Sequence, residues 1–216
     1  MRYDLHSHSK YSSDGFSEPK MMVKTASKLG LSGIAVTDHN TIKGGLEAKK
    51  YETEKFQVVV GSEIKTDRGE VIGLFLSHEI KSRTFMDVVE EIKDQNGVVV
   101  VPHPFDWLRG KSLFPDERDA RSIDFVEVFN SRCILPSYNR KATDFAEKNH
   151  LKKVAGSDAH FLREIGRGGV VTESNNIYEA VVKGDFTVFG RKSHITSLGL
   201  SELLSAWRTL KQRSKP

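Results

Sequence analysis

Arg2-Tyr3-Asp4-Leu5-His6-Ser7-His8 is the stretch around which the chain is organised. A short, partly apolar run ends in two histidines separated by one residue. In a strand, positions i and i+2 project from the same face, so His6 and His8 can aim both imidazoles at one point. Imidazole is the commonest side-chain ligand for divalent transition metals. An exposed edge strand can also carry such a pair as plain surface, so the reading depends on the rest of the chain.

Outward from this stretch, strand and helix patterns alternate. Ser17-Glu18-Pro19 opens a helix, with Ser17 as N-cap and Pro19 in the first turn. Met21, Met22, Ala26 and Leu29 follow at helical spacing, and Gly30 stops it; the Met21-Met22 pair is expected in the core. Ile34 to Val36 reads as a buried strand, Ile42 to Glu54 as a helix, and Val58 to Val60 as the next strand. After a turn at Asp67-Arg68-Gly69 come a strand over Val71 to Leu76, a helix over Thr84 to Gln95 and the apolar strand Val98 to Val101. Asp106 to Arg121 is polar, contains Pro115 and reads as a long loop near the site. Phe125 to Phe129 is a strand, Pro136 to Asn149 a helix, and Lys153 to Ala155 a strand. Gly169 to Val171 and Thr187 to Phe189 are short strands around a helix at Ile177 to Lys183, and Leu200 to Gln212 is a last helix. Such alternation implies a parallel sheet or a barrel with strands buried on both faces. No linker or internal repeat interrupts it, so residues 1–216 are expected to form a single domain.

Composition narrows the chemistry. The 216 residues are 38% hydrophobic and 29% charged, the balance of a globular protein. No apolar run approaches the roughly 20 residues of a membrane span, and the first residues do not read as a leader, so a cytoplasmic location and no membrane partner are expected. The single cysteine, Cys133, leaves no internal disulfide and no thiolate cluster, and is expected to pack rather than react. A metal here would be held by His, Asp and Glu, which favours Mn, Fe, Zn or Mg over copper(I) or iron–sulfur centres. The net charge of +4 suits an anionic substrate without demanding one. The C-terminal Arg208, Lys211, Arg213 and Lys215 read as a solvated helix end.

The polar residues collect at strand ends. His6, His8 and Asp14 follow the first strand; Thr37-Asp38-His39-Asn40, Gly61-Ser62-Glu63 and Pro102-His103-Pro104 follow later ones. Glu127 and Asn130 lie on the Phe125 strand, and Gly156-Ser157-Asp158-Ala159-His160 follows the Lys153 strand. In a β/α barrel these ends converge on one mouth, where active sites sit. A lone histidine is usually a hydrogen-bonded structural residue; repeated His, Asp and Glu at the same end of successive strands point to a metal centre.

These motifs, in this order, resemble the PHP (polymerase and histidinol phosphatase) family, and more closely its small stand-alone metal-dependent phosphoesterases. The resemblance implies an α/β fold, a distorted (β/α)7 TIM-like barrel, and hydrolysis of a phosphoester at a centre of two or three divalent ions, Mn, Zn or Fe, with Mg as a further candidate. It implies one metal at His6, His8, Glu63 and Asp158, a second sharing Glu63 and taking His103, and a third at Asp14, His39 and His160. Where many relatives place a histidine after the motif glutamate, this chain has Glu70, a carboxylate that can still ligate; His78 is the rival donor. The expected nucleophile is a metal-bound hydroxide held by Glu63, Asp158, His6 and His8. Arg132 and Asn130 are the expected phosphate contacts, with Lys43, Arg163 and Arg167 as lesser candidates. Asp38 is expected to orient ligands. Phe105 and Trp107 are expected to cap the mouth, and His150 and His194 to face solvent. The expected substrate is a small phosphorylated metabolite or nucleotide. A nuclease trimming nucleic-acid ends is the rival enzyme reading, and a non-catalytic scaffold the rival of another class.

Overall fold

The computed structural model describes residues 1–193. The expected last helix, His194 and the C-terminal basic run lie outside the described residues. Among the described residues, nine strands form one sheet: β1 (Arg2–Asp4), β2 (Gly33–Val36), β3 (Gln57–Lys65), β4 (Glu70–Leu74), β5 (Val98–Val101), β6 (Phe125–Asn130), β7 (Lys152–Gly156), β8 (Gly168–Val171) and β9 (Thr187–Gly190). Their order is β7-β6-β5-β4-β3-β2-β1-β8-β9. Past their ends, β1 and β7 meet again: Ser7 pairs with Ala159, the His8 N–H donates to the Ala159 carbonyl at 2.8 Å, and the Asp158 N–H donates to the His6 carbonyl at 2.8 Å. The sheet thereby curls into a nearly closed, distorted TIM-like barrel. That closing seam carries His6, His8, Asp158 and His160.

The helices are α1 (Pro19–Lys28), α2 (Lys43–Lys49), α3 (Phe85–Lys93), α4 (Pro136–Lys148) and α5 (Ile177–Lys183). The buried face of α1 comprises Pro19, Met22, Val23 and Ala26. Only half of the expected methionine pair is core: Met22 is 0% exposed and Met21 40%. Neighbouring helical residues are rotated by about 100°, so a narrow apolar stripe cannot hold both. Glu18, not Ser17, stands at the N-cap, and its side chain makes no capping bond. Ser17 instead pairs with Ser9, its carbonyl accepting from the Lys10 N–H at 2.8 Å. α2 ends at Lys49, short of the expected Glu54, because Thr53 turns back to pair with Phe56.

The sheet is mixed rather than parallel throughout. β4 runs antiparallel to both β3 and β5, and β8 antiparallel to β1 and β9. Only a tight turn joins β3 to β4, with the Thr66 N–H donating to the Gly69 carbonyl at 2.8 Å and Gly69 at φ +139°. Parallel neighbours need a long crossover; a hairpin reverses the chain. The reversal places Glu63 of β3 opposite Ile72 of β4, with Glu70 at the start of β4. No described helix is long and apolar enough to cross a membrane.

Gly156, where β7 passes His6, shows how tightly the seam is packed. A Cβ there would overlap the His6 Cβ and lie 2.8 Å from Glu127 Oε1. Gly156→Ala is expected to cost about 1–3 kcal/mol, as overpacking usually does. In a thermal melt that lowers the midpoint by roughly 2–12 °C for a protein of this size.

Candidate metal centre

Nine expected donors come from six segments, and the barrel brings them together. His6 and His8 continue β1, Asp14 lies in the following loop, and His39 follows β2. Glu63 and Glu70 belong to β3 and β4, His103 follows β5, and Asp158 and His160 follow β7. Their ligating atoms form four overlapping groups, each within 4.8 Å: His8, Asp14, His39 and His160; His6, His8 and Asp158; His6, Glu63 and His103; His39, Glu63 and Glu70. Glu63 joins two groups. Its Oε2 is 3.2 Å from His39 Nδ1, 3.4 Å from His8 Nε2 and 3.7 Å from His6 Nε2, and its Oε1 is 3.0 Å from His103 Nε2. Asp158 Oδ1 lies 3.3 Å from His8 Nε2 and 3.6 Å from His6 Nε2. Asp14 Oδ2 lies 3.1 Å from His39 Nε2 and 3.3 Å from His160 Nε2. Glu70 sits at the rim of this group, 3.8 Å from His39 and 3.9 Å from His103. His78 is exposed and bonded to Ser77, away from the donors.

The imidazoles are oriented from behind. Nδ1 of His6 meets Glu127 Oε1 at 3.0 Å, that of His103 meets Ser112 Oγ at 3.0 Å, that of His8 meets Ser12 Oγ at 3.3 Å, and that of His160 meets the Asp158 carbonyl at 2.8 Å. All four rings therefore present Nε2 to the cluster. An anchored Nδ1 that frees Nε2 is the usual support of a metal-ligating histidine. The His6 and His8 Nε2 atoms face each other at 3.1 Å with carboxylate oxygens around them. Inward-facing lone pairs and carboxylates at this spacing fit divalent cations of the Mn, Fe or Zn type. His103 and Asp158 hold their places in the left-handed backbone region, at φ 29° and 54°, conformations costly for such residues and concentrated at functional sites.

The charges respond to this crowding. Burial alone would lower the His6 pKa, but the carboxylates of Glu127, Asp158 and Glu63 outweigh it and hold that imidazole well above its ordinary value. His39 rises to about 10, burial again being outweighed by Glu63 and Asp14. His8 falls to about 3 through burial and the neighbouring His160. Against their own burial, Glu63 is pulled well below the carboxylate range by His6 and His39, and Asp158 by Arg109 and His6. Burial and Glu63 push Glu70 upward.

The expected phosphate contacts divide. Asn130 is fully buried at the site, donating to Glu127 Oε2 at 2.9 Å and Asp158 Oδ2 at 3.2 Å. Arg132 is also buried, but its Nη1 lies 3.2 Å from Glu164 Oε2. Arg109, which the sequence reading passed over, donates to Asp158 Oδ2 at 2.7 Å, Asn130 Oδ1 at 3.1 Å and Asp106 Oδ2 at 3.1 Å. Only its place in the Asp106 to Arg121 loop hinted at the site. Glu127 had a clearer signal, as a carboxylate within an apolar strand; besides His6 it accepts from the His103 N–H at 2.8 Å. Asp38 braces the site indirectly, its carboxylate accepting from the Ser9 N–H and hydroxyl, both at 2.6 Å. Lys43 and Arg163 are exposed, and Arg167 donates to the Lys192 carbonyl. Phe105 packs edge-on against Phe114 and Phe145, whereas Trp107 is 64% exposed. Cys133 is buried, and burial pushes its thiol pKa up. His150 faces solvent.

Comparison with known proteins agrees with this geometry. The profile of the PHP domain matches residues 4–166. An uncharacterized protein of Methanocaldococcus jannaschii is 42% identical over 146 residues, covering 61% of this chain and 82% of the relative. A second uncharacterized protein of that organism is 34% identical over 183 residues, covering 82% of this chain and 73% of the relative. Among solved structures, a two-domain protein from Bacteroides vulgatus, described as containing a predicted PHP-like metal-dependent phosphoesterase, superposes with a TM-score of 0.73 at 21% identity. That match covers 88% of this chain, which spans 65% of the Bacteroides chain.

Proposed function

The chain belongs to the PHP domain family, and from that membership and its buried donor cluster we propose that it is a metal-dependent phosphoesterase acting on a small phosphorylated substrate. The carrying observation is that four imidazoles are anchored at Nδ1 and turn Nε2 inward, those of His6, His8 and His103 toward Glu63 or Asp158 and that of His160 toward Asp14. His6, His8, Asp158, Glu63 and His103 would hold one part of the centre, and His39, His160, Asp14 and Glu70 the other. Bound divalent ions would supply an activated water and neutralise phosphate charge. The relative from Bacteroides vulgatus, described as a predicted metal-dependent phosphoesterase, supports this reading.

The chain's own residues supply the remainder. Arg109 presents a planar, permanently charged fork at the edge of the donors, suited to a phosphate oxygen pair. Asp106 and Asn130 hold that fork in place. Arg132, committed to Glu164, braces the turn after His160, whose backbone N–H Glu164 also accepts at 2.9 Å. Asn130 and Glu127 keep Asp158 and His6 in register.

The test is hydrolysis of p-nitrophenyl phosphate and a panel of phosphorylated metabolites with Mn, Zn, Fe and Mg supplied separately. Turnover should require added metal. Arg109→Ala should lower kcat/KM by about 10–100-fold, the range of a lost charged hydrogen bond, measured at saturating metal because Arg109 also holds Asp158. Absence of phosphoester hydrolysis with every metal would reject the assignment. Faster cleavage of oligonucleotides than of any small phosphoester would reject the small substrate.

A further inference from the structure

The barrel carries a second concavity on its outer side, among the end of α1, the turn Leu162–Glu164 and the end of β9. Its volume is about 530 Å³, inside the roughly 300–1,000 Å³ range of small-ligand pockets. It shares no lining residue with the donor groups of the metal centre. Arg2, Arg163, Arg167 and Arg191 line it, and among the described residues no aspartate or glutamate does. The floor is apolar and includes Leu31 and the Phe189 ring, over which the Arg2 guanidinium lies at 4.3 Å.

Part of this wall is held in place. Arg167 Nη1 donates to the Lys192 carbonyl at 2.9 Å, and the Arg191 N–H donates to the Arg167 carbonyl at 2.6 Å. These bonds tie the end of β9 to the chain entering β8. Four like charges around one hollow repel one another and focus a positive potential into it. Guanidinium forks match phosphate oxygens bidentately, and the Arg2 guanidinium plane, backed by Phe189, offers a planar base a stacking surface. Residues 194–216 carry Arg208, Lys211, Arg213 and Lys215 against Glu202 alone. That segment adds charge of the same sign, so charge complementarity favours an external anion as occupant.

We propose that this groove is a nucleotide-binding site, with the phosphates on Arg163, Arg167 and Arg191 and the base stacked on the Arg2 guanidinium that covers Phe189, separate from the metal centre. ATP is the probe, with adenosine as the arm lacking phosphates. Binding is measured calorimetrically on the full chain and on Glu63→Gln, in which turnover should not consume the ligand. Both proteins should bind ATP alike. Arg2→Glu and Arg191→Glu should each weaken binding by at least about tenfold, and adenosine should bind at least about tenfold more weakly than ATP. Raising the salt concentration should weaken ATP binding further. Thermal midpoints check that the variants fold, and Arg2→Ala and Arg191→Ala serve if charge reversal disturbs them. Binding lost in Glu63→Gln but retained in the arginine variants would place ATP at the metal centre and overturn the proposal. So would equal affinity for adenosine and ATP, or no saturable binding of ATP.

Discussion

Glu63→Gln is expected to lower kcat/KM for an aryl phosphate by roughly 10³-fold, equivalent to about 4 kcal/mol of transition-state stabilisation, and to lower the bound metal content with it. The substitution keeps the side chain's volume and removes its charge. Glu63 contacts His39, His8, His6 and His103 at 3.0–3.7 Å, whereas Asp158, the next best connected carboxylate, meets His6, His8 and His160. A neutral amide would not balance the charge of divalent ions bound among those rings. It also removes an acidic neighbour that holds His6 and His39 in their charged forms, so the rings themselves should titrate at lower pH. The checks are steady-state kinetics, metal content by mass spectrometry and far-ultraviolet circular dichroism to show that the barrel persists. Wild-type turnover at wild-type metal load would remove Glu63 from the centre.

The second large effect concerns the metal itself. Removal by a chelator should abolish hydrolysis and lower the thermal midpoint. A ligand at one hundred times its Kd contributes about 2.7 kcal/mol of stability, which corresponds to roughly 5–11 °C for a chain of this length. The gap should depend on pH. In the metal-free protein the His39 pKa is raised from its ordinary value to about 10. Its contribution to stability is therefore fully present below about 6.5, the unperturbed histidine value, and is lost as pH rises toward 10. Metal binding has the opposite sign, because ligating imidazoles must be neutral and their protons must leave. Between pH 6.5 and 9 the metal-free protein should lose stability while metal affinity rises, widening the difference between the two melts. Calorimetric titration in buffers of different ionisation enthalpy should show protons released per metal bound. A gap that stays constant across this range, without proton release, would show that His39 is not displaced from its protonated form by metal.

Sequence and tertiary structure contributed different parts of this account, and the division follows the range of each interaction. His6-x-His8 is legible because a period of two on a strand is local. The apolar runs Ile34–Val36 and Val98–Val101 are legible because burial on both faces leaves a compositional trace. From these a parallel sheet or a barrel with polar strand ends could be expected, while the distorted barrel and the set of nine donors were implied by the resemblance to the PHP family. The mixed direction of the sheet was less legible: it depends on a turn of a few residues between β3 and β4, where strand periodicity is silent. The exposure of Met21 was obscured for a related reason, since two adjacent apolar residues do not reveal which one the helix turns inward.

The supporting residues lay further beyond sequence reasoning. Arg109 meets Asp158 across 49 positions and Glu127 meets His6 across 121, and neither contact leaves a spacing in the chain. Arg132 looked the better phosphate contact because it stands just after Asn130, yet the fold turns it to Glu164 and brings Arg109 to the donors instead. By itself the sequence determined which residue types would gather and at which end of the strands. Only the tertiary structure decided which nitrogen of each ring faces inward and which arginine reaches the site. Local periodicity governs the first, whereas the second depends on loop paths and on hydrogen bonds between segments far apart in the chain.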